Sequence, residues 1–396
     1  MTTTPGSAVG AAILANAADL VRHAARVAPD RPALIGPAGS RSWSELDAAV
    51  DTGAAALAAA GYQAGAPVVL ALPTGPDLAA ALFAVLRAGL VAVPVDPLRT
   101  DLAWVARRVS AVAAVTDQAV SGAAPVIGSA QVGTWWGGTA VGRAARSGGE
   151  DLALLARAAR TGPPVMLSHR ALLGAVTALR GAARFDLQPV DRVLQVLPLF
   201  HVVGLVTAFL PAAVAGAAVV IPGPPADGGT TVQAALAAVR EHRVSVLPAE
   251  PTLYRQLHRV PGFERALASV RLMTSGSSPL DPADFAAIRR ATGQAVREGY
   301  GISESAAAIT STLMTEEAHP GSVGLPYPGV QVRILDDSDE IVGSPGSSGD
   351  PESPASAGSA EPTASAESAG STEPAGSTQP NGSAEPAGPT AAEGSE

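Results

Sequence analysis

The chain alternates short uncharged runs, rich in β-branched residues, with segments of helical periodicity. Residues 68–72 predict a buried strand, residues 77–88 a helix, and residues 90–95 the next buried strand. Further units of this kind run from about residue 191 to residue 311. Strands that are buried on both faces need helices on both sides, so the pattern predicts an α/β fold with parallel sheets. Residues 319–337 differ, because Gly and Pro turns and alternating residues there predict antiparallel strands.

One long uncharged stretch, residues 202–221, has the roughly 20 residues that a membrane-spanning helix needs. It contains Pro211, is rich in Ala and Gly, and ends in three β-branched residues. These features favour a buried helix followed by a buried strand over a membrane span. Near the N-terminus, no basic residue precedes the short apolar run, and Asp19 interrupts that run. We therefore expect no signal peptide and a cytoplasmic protein.

Two amino-acid types are absent, and each absence excludes a class of chemistry. The 396 residues include no cysteine, which excludes disulfides and thiolate metal or redox sites. All 26 basic residues are arginine, so a mechanism that requires a lysine is excluded for this chain acting alone. The formal net charge is −9, but all seven charged residues after Asp350 are glutamate, which leaves −2 for residues 1–350. No arginine-rich cluster follows a helix face, so nothing indicates nucleic-acid binding.

The composition changes abruptly near residue 343. From there to the C-terminus the sequence is dominated by Gly, Ser, Pro, Ala and Glu, and a Ser-Ala/Thr-Glu-Pro repeat begins at Ser359, Ser371 and Ser383. Such a segment has no apolar surface to offset its ordering entropy, so we predict a folded domain over residues 1–342 and a disordered tail over residues 343–396.

Deletion of residues 351–396 is therefore expected to leave the melting temperature nearly unchanged, because a tail without aromatic or aliphatic anchors adds no packing. The measurement is thermal unfolding of the full chain beside the deletion variant. A loss of several degrees would mean that the tail packs on the domain.

Several ordered segments resemble the adenylate-forming (AMP-binding) ligase superfamily, and acyl-CoA synthetases in particular. The likeness covers roughly residues 15–350, and it is most specific in APDRPAL (28–34), WSEL (43–46), residues 68–97, DRVLQVLPLFHVVGL (191–205), RLMTSGSSPL (271–280) and GYGISES (299–305). The resemblance implies the large N-terminal domain of that superfamily, with two doubly wound parallel-sheet subdomains and part of a β-barrel-like subdomain. The small C-terminal lid domain is expected to be absent, as are the ribose-binding aspartate and the hinge that precede it.

In the family, ATP and a carboxylate form an acyl-adenylate and pyrophosphate, and a thiol such as CoA then takes the acyl group. The resemblance therefore implies ATP, Mg²⁺ and CoA as cofactors and a carboxylic acid or acyl compound as ligand. It assigns Glu304 to magnesium, names Ser303 with Glu304 as catalytic, and places the Tyr300 ring on the adenine. The nucleotide-binding set that it implies is Thr161, Gly162, Gly276, Ser277, Ser278, Tyr300 and Gly301. His201 follows a strand-like run, and it either lines the acyl pocket, as the family suggests, or is a core histidine.

The segment that corresponds to the family's phosphate loop, residues 154–164, departs from the family pattern. Only Thr161, Gly162 and one proline persist, and the Lys-Gly step is missing. Two prolines remove backbone donors and stiffen the loop. Arg157 and Arg160 either supply charge to phosphates in place of the lysine or are solvated arginines without such a role.

Three interpretations of function remain open on the sequence. The chain is an acyl-CoA synthetase or other adenylate-forming ligase that functions despite these changes, with a second polypeptide as one source of the missing domain; or a non-catalytic pseudoenzyme that binds an acyl or nucleotide ligand or a partner protein; or the product of a decayed or frame-shifted gene. Because the chain has no lysine and the lid domain is expected to be absent, we expect the isolated chain not to complete acyl-CoA synthesis. We also expect a retained pocket, because ligand sites of doubly wound sheets lie at the carboxyl ends of the strands. Its predicted lining is His201 and residues 250–254, 276–278 and 300–308.

Overall fold

The computed structural model describes residues 15–139, 147–157, 160, 162–224, 230–337 and 341–343. The predicted tail lies outside the described residues, so its disorder and the boundary at residue 343 stay predictions.

The strands are short and most are buried. In chain order they are β1 (Pro32–Gly36), β2 (Gly39–Ser42), β3 (Pro67–Ala71), β4 (Val91–Pro94), β5 (Ala113–Thr116), β6 (Val126–Ile127), β7 (Leu152–Ala156), β8 (Val165–Ser168), β9 (Arg192–Leu194), β10 (Ala218–Val220), β11 (Val246–Ala249), β12 (Leu272–Ser275), β13 (Val296–Tyr300), β14 (Thr310–Ser311), β15 (Leu325–Pro326), β16 (Ile334–Leu335) and β17 (Ile341–Gly343).

Helices connect most of the parallel strands. They are α1 (Asp19–Val27), α2 (Trp43–Ala59), α3 (Pro76–Arg87), α4 (Leu102–Arg108), α5 (Ser129–Gly133), α6 (His169–Arg180), α7 (Val202–Gly204), α8 (Leu210–Ala215), α9 (Thr231–His242), α10 (Pro251–Leu257), α11 (Phe263–Ala266) and α12 (Pro282–Thr292). A π-helical segment, Leu205–Phe209, joins α7 to α8. Side-chain caps fix several starts: the Ser42 and Thr230 side chains each form a capping box, with Glu45 and Gln233 respectively.

Two large sheets organise the described part of the chain. The first has the strand order β6-β5-β3-β4-β7-β8 and is parallel except for the β7–β8 pair. The second has the order β15-β14-β13-β12-β11-β9-β10-β1-β2, with five parallel pairs from β13 to β1 and antiparallel strands at both edges. A separate antiparallel pair joins β16 to β17.

Both central sheets are covered on their two faces. In β3, Val68 and Leu70 belong to one apolar cluster and Val69 to another, so successive side chains enter opposite layers. In β9, Val193 and Leu194 divide between two clusters in the same way. One cluster is shared by the facing sides of the two sheets, with α2, α3, α6 and α8 between them. This arrangement confirms the predicted α/β fold with doubly wound parallel sheets.

The strand and helix predictions agree with the structure within a few residues. The helix predicted at 77–88 is α3, the strands beside it are β3 and β4, and residues 202–221 form a helical run followed by β10. Within the described residues, no helix is both long enough and apolar enough to cross a membrane. In the segment predicted to be antiparallel, β15 and β16 are short, and each pairs antiparallel.

His169 is fully buried at the start of α6 and ties the N-terminal helix to the first sheet. Its Nδ1 accepts a hydrogen bond from the Ala17 N–H at 3.1 Å, and its Nε2 lies 3.3 Å from the Ser147 hydroxyl. Burial lowers the pKa of His169, and the nearby charges of Asp151 and Asp19 oppose that shift in part. The neutral ring is therefore the form that the folded protein holds.

Because the pKa of His169 is lower in the folded state than in the unfolded state, its neutral form contributes stability that is fully present above the unfolded pKa of about 6.5. That contribution is lost as the pH falls below this value. We expect the free energy of unfolding to fall from pH 7 to pH 5 in the wild type and to fall less in His169→Asn, whose amide oxygen replaces the Nδ1 acceptor. Urea unfolding across the pH range measures both. Equal slopes for the two proteins would contradict this role.

Candidate functional site

A pocket of about 550 Å³ lies at the carboxyl ends of β9, β11, β12 and β13, and the end of β7 reaches it from the other sheet. This is the edge at which parallel doubly wound sheets hold their ligands. Its lining divides by chemistry into two sets. The apolar set includes Leu179, Phe185, Leu197, Val202, Val203 and Leu313, and the polar set includes Arg157, Glu250, Ser275, Ser277, Tyr300, Ser303 and Glu304.

The turn after β13 presents Tyr300, Ser303 and Glu304 to the pocket. Tyr300 is half exposed and lines the pocket. Gly301 is required here, because a Cβ at that position would lie 2.3 Å from the Ala307 carbonyl oxygen. The Ile302 N–H donates to the Ser305 hydroxyl at 3.2 Å, which tightens the turn.

The loop after β12 forms the next part of the wall. Gly276 and Ser277 line the pocket, whereas Ser278 is exposed and does not line it. The carboxylate of Glu298 holds this loop, since it accepts a hydrogen bond from the Leu280 N–H at 3.0 Å. Burial raises the pKa of Glu298, and that hydrogen bond opposes the shift.

Three pocket residues other than glycine have a left-handed backbone: Arg157 (φ 57°), Ser277 (φ 73°) and Ala307 (φ 69°). Side chains disfavour this region, and residues held in it cost on the order of 1–3 kcal/mol each. Such residues concentrate at functional sites, where the surrounding structure holds them in place. The left-handed backbone of these three residues therefore lowers the stability of the folded protein.

Arg157, at the end of β7, forms an ion pair with Glu304 across the pocket. Its Nη1 lies 2.8 Å from the Glu304 Oε1, and the two side chains are 44% and 50% exposed. The guanidinium of Arg157 is thus half exposed and has a carboxylate partner in the turn after β13, and whether it serves a phosphate stays a prediction. Arg160 lines the same pocket and is exposed.

The rest of the predicted phosphate loop is described only in part, and Thr161 lies outside the described residues. Gly162 is exposed and does not line the pocket, and its carbonyl oxygen accepts a hydrogen bond from Arg108 on α4. Among its described residues the loop contributes Ala156, Arg157 and Arg160 to the pocket, and not the glycine that the resemblance singles out.

His201 directly precedes α7. It is exposed and lines the pocket, and it is not a core histidine. Its ring lies 4.9 Å from the Phe200 ring. Desolvation by neighbouring atoms lowers the pKa of His201, and the charges of Asp96 and Glu250 oppose the shift in part. Of the predicted segment 250–254 only Glu250 lines the pocket; Tyr254 is fully buried, because its hydroxyl donates to the Leu247 carbonyl at 2.7 Å in the core.

Several polar residues at the pocket were not predicted, among them Ser275, Arg297 and Thr310. The hydroxyls of Ser275 and Thr310 are buried and have no hydrogen-bond partner among the described residues. Arg297 donates from Nη1 to the Thr312 carbonyl at 2.9 Å and so shapes the wall. Strand alternation indicates which residues of β12 and β13 share a face, but it does not reveal which hydroxyls lack a partner.

The oxygen ligands around Glu304 do not fit a magnesium ion while the Glu304 carboxylate is paired with Arg157. Magnesium requires near-octahedral oxygen ligands, which proteins supply from one or two carboxylates together with substrate phosphates. Among the described residues, no cluster of three or more His, Cys, Asp or Glu side chains is suited to a metal ion. The one carboxylate that the resemblance assigns to the ion is already paired with Arg157.

Comparison with known proteins places this geometry in a wider context. The family model for AMP-binding enzymes matches residues 21–134 and 161–350. The mitochondrial malonate–CoA ligase ACSF3 of Mus musculus is 35% identical over 199 residues, which are 47% of this chain and 33% of that protein. The 4-coumarate–CoA ligase 5 of Oryza sativa subsp. japonica is 30% identical over 338 residues, 78% of this chain and 62% of that protein. The chain thus spans between a third and two thirds of the length of these relatives.

Among solved structures, ATP-bound MatB from Rhodopseudomonas palustris superimposes with a TM-score of 0.72 at 26% sequence identity. The match covers 83% of this chain and 68% of that one. The fold of this chain is thus similar to that of a protein whose structure was solved with ATP bound.

Proposed function

This chain belongs to the AMP-binding enzyme family, and from that premise we propose that its pocket binds a carboxylic acid next to an adenine nucleotide. In this proposal the chain is the acid- and nucleotide-binding part of a carboxylate–CoA ligase. The observation that carries it is a pocket in which an apolar set and a polar set meet at the strand ends. An acyl-adenylate, the product of joining an acid to AMP, has one apolar and one polar part, which match these two sets.

Each part of such a ligand has a candidate partner. The half-exposed Tyr300 ring would stack on the adenine, a contact worth about 0.5–1.5 kcal/mol beyond burial for aromatic pairs. The Gly276 backbone would lie beside it. The free hydroxyls of Ser275 and Thr310 would donate to the polar part of the ligand. Leu179, Phe185 and Leu313 would bury the acyl or aryl group, at about 25 cal/mol per Å² before the costs of binding.

The relatives support the reaction class. Those compared above carry the names malonate–CoA ligase and 4-coumarate–CoA ligase, and the structural neighbour binds ATP. By this likeness the acid would be activated by ATP, and CoA would accept the acyl group. The carboxylate of Glu304, which the resemblance assigns to magnesium, is paired with Arg157 in this proposal.

The Arg157–Glu304 ion pair also favours a second candidate, a non-catalytic protein that binds an acyl or nucleotide ligand. In that case the pocket is retained while activation of the acid is lost. The absence of any lysine in these 396 residues agrees with this candidate.

Tyr300→Ala is expected to weaken binding of a non-hydrolysable acyl-adenylate mimic by roughly 3- to 10-fold, because it removes a stacking contact of this size. Tyr300→Phe keeps the ring and is expected to bind as the wild type does. Isothermal titration calorimetry with the mimic, and with ATP and the free acid beside it, measures each affinity. Equal binding by Tyr300→Ala would remove Tyr300 from the site, and no binding of any of the three ligands would contradict the proposed function.

A further inference from the structure

The Arg157–Glu304 pair is poorly explained as a device for stability. Both side chains are close to half exposed, and exposed ion pairs contribute little to folding because water and salt screen them. The Arg157 backbone is also left-handed, which disfavours the folded state. A strained residue that holds a weak ion pair at a pocket is better explained by a ligand than by folding.

The geometry leaves Arg157 able to bind a second anion. A guanidinium has five N–H donors in a planar fork, and the contact with Glu304 involves Nη1 alone. Arg297, also at the pocket, donates to the backbone carbonyls of Thr312, Thr315 and Glu316 instead. Arg157 therefore keeps donors for a ligand, whereas Arg297 uses its donors on the wall. Arg160 also lines the pocket, but the ion pair with Glu304 is formed by Arg157.

The charges at the pocket point to the same conclusion. A phosphate next to the Glu304 carboxylate needs a cation between the two anions, since like charges at short distance repel. Arg157 already stands beside that carboxylate, at the end of β7, where it faces the pocket. A divalent cation bound to the same carboxylate would be repelled by the Arg157 guanidinium. It could bind only if the ion pair between Arg157 and Glu304 broke.

We propose that Arg157 replaces the divalent cation of this site. Its guanidinium bridges Glu304 to the phosphate of a bound adenosine monophosphate or acyl-adenylate, so phosphate binding does not depend on magnesium. The proposal rests on the proposed function, because it assumes that the pocket accepts an adenine nucleotide. We therefore expect the pocket to prefer nucleotides with one phosphate group, because one guanidinium takes the place of a metal ion that bridges several phosphate groups.

The test is calorimetry of the full chain with AMP and with adenosine, each in excess magnesium and in EDTA. Adenosine lacks the phosphate and therefore reports on the adenine site alone. For the wild type we expect the same AMP affinity, within about twofold, with magnesium and with EDTA. In EDTA, Arg157→Ala should weaken AMP binding about 10- to 100-fold, the loss expected for one hydrogen bond to a charged group. Adenosine binding should be unchanged.

Two further variants sharpen the result. Arg157→Lys keeps the charge but not the planar fork, and it should recover only part of the affinity for AMP. Arg170→Ala is the matched control, because it removes another exposed arginine from an ion pair, with Glu150, and does not line the pocket. This control should bind AMP as the wild type does.

Two outcomes would overturn the proposal while the proposed function stands. One is AMP binding by the wild type that magnesium strengthens about tenfold or more, the size of one charge-assisted hydrogen bond. The other is an AMP affinity of Arg157→Ala equal to that of the wild type. If AMP, adenosine and the acyl-adenylate mimic all fail to bind the wild type, the proposed function fails, and the inference fails with it.

Discussion

Supplied with ATP, magnesium, CoA and a panel of carboxylic acids, the 396-residue chain alone is expected to form acyl-CoA at least about 10³-fold more slowly than ordinary enzymes, which turn over at ~1–10³ s⁻¹. Activation of an acid by ATP brings two anions together and depends on positive groups at the phosphates. This chain contains no lysine, and the Arg157 guanidinium is shared with Glu304. Removal of one group that stabilises developing charge costs about 10²–10³ in rate.

The measurement is chromatographic detection of acyl-CoA over long incubation, with a full-length coumarate–CoA ligase as the positive control. ATP–pyrophosphate exchange with the same acids reports on the first half-reaction separately. Exchange without thioester formation would favour a ligase that needs a partner polypeptide. Acyl-CoA formation at ordinary rates would contradict the expectation and would show that arginines suffice.

Removal of the Arg87 guanidinium is expected to cause a large loss of stability. Arg87 ends α3 and is buried, with its guanidinium 2.6 Å from Asp47 and 2.9 Å from Asp51, both on α2. It also donates to the Ala18 carbonyl beside α1 at 3.0 Å. Because a buried ion pair that loses one partner leaves an uncompensated charge, Arg87→Ala should lower the free energy of unfolding by about 3 kcal/mol. This is the lower end of the range for buried pairs, since Asp51 is 38% exposed and stays partly hydrated.

Urea unfolding of Arg87→Ala measures that loss, with Arg107→Ala as a matched control. Arg107 lies on α4 and is exposed, so its removal should change the free energy of unfolding by less than about 0.5 kcal/mol. If both variants lost the same small amount, Arg87 would not be the buried tie between α1, α2 and α3 that its contacts describe.

The strands of both sheets could be predicted because they are buried on two faces. A run such as Val68 to Leu70 contains no polar residue, since neither side of β3 faces water. Helix starts carry local signals as well, for example Ser42 followed three residues later by Glu45. These signals depend only on residues that are close together along the chain, so one sequence is enough to detect them.

The contacts of the site could not be predicted in the same way. Arg157 and Glu304 are 147 residues apart and follow strands of different sheets, so only the folded chain brings them together. Tyr254 shows the converse case, because its position after β11 suggested the pocket while its hydroxyl bonds to two core carbonyls. Which side of a short segment faces the pocket depends on packing that the sequence pattern does not record.

The most direct test of the central claim is a crystal structure of the full chain with an acyl-adenylate mimic at saturating concentration. We expect electron density for the adenine against the Tyr300 ring, for the phosphate position beside Arg157, and for the acyl group among Leu179, Phe185 and Leu313. An empty pocket, or the mimic bound elsewhere on the molecule, would contradict it.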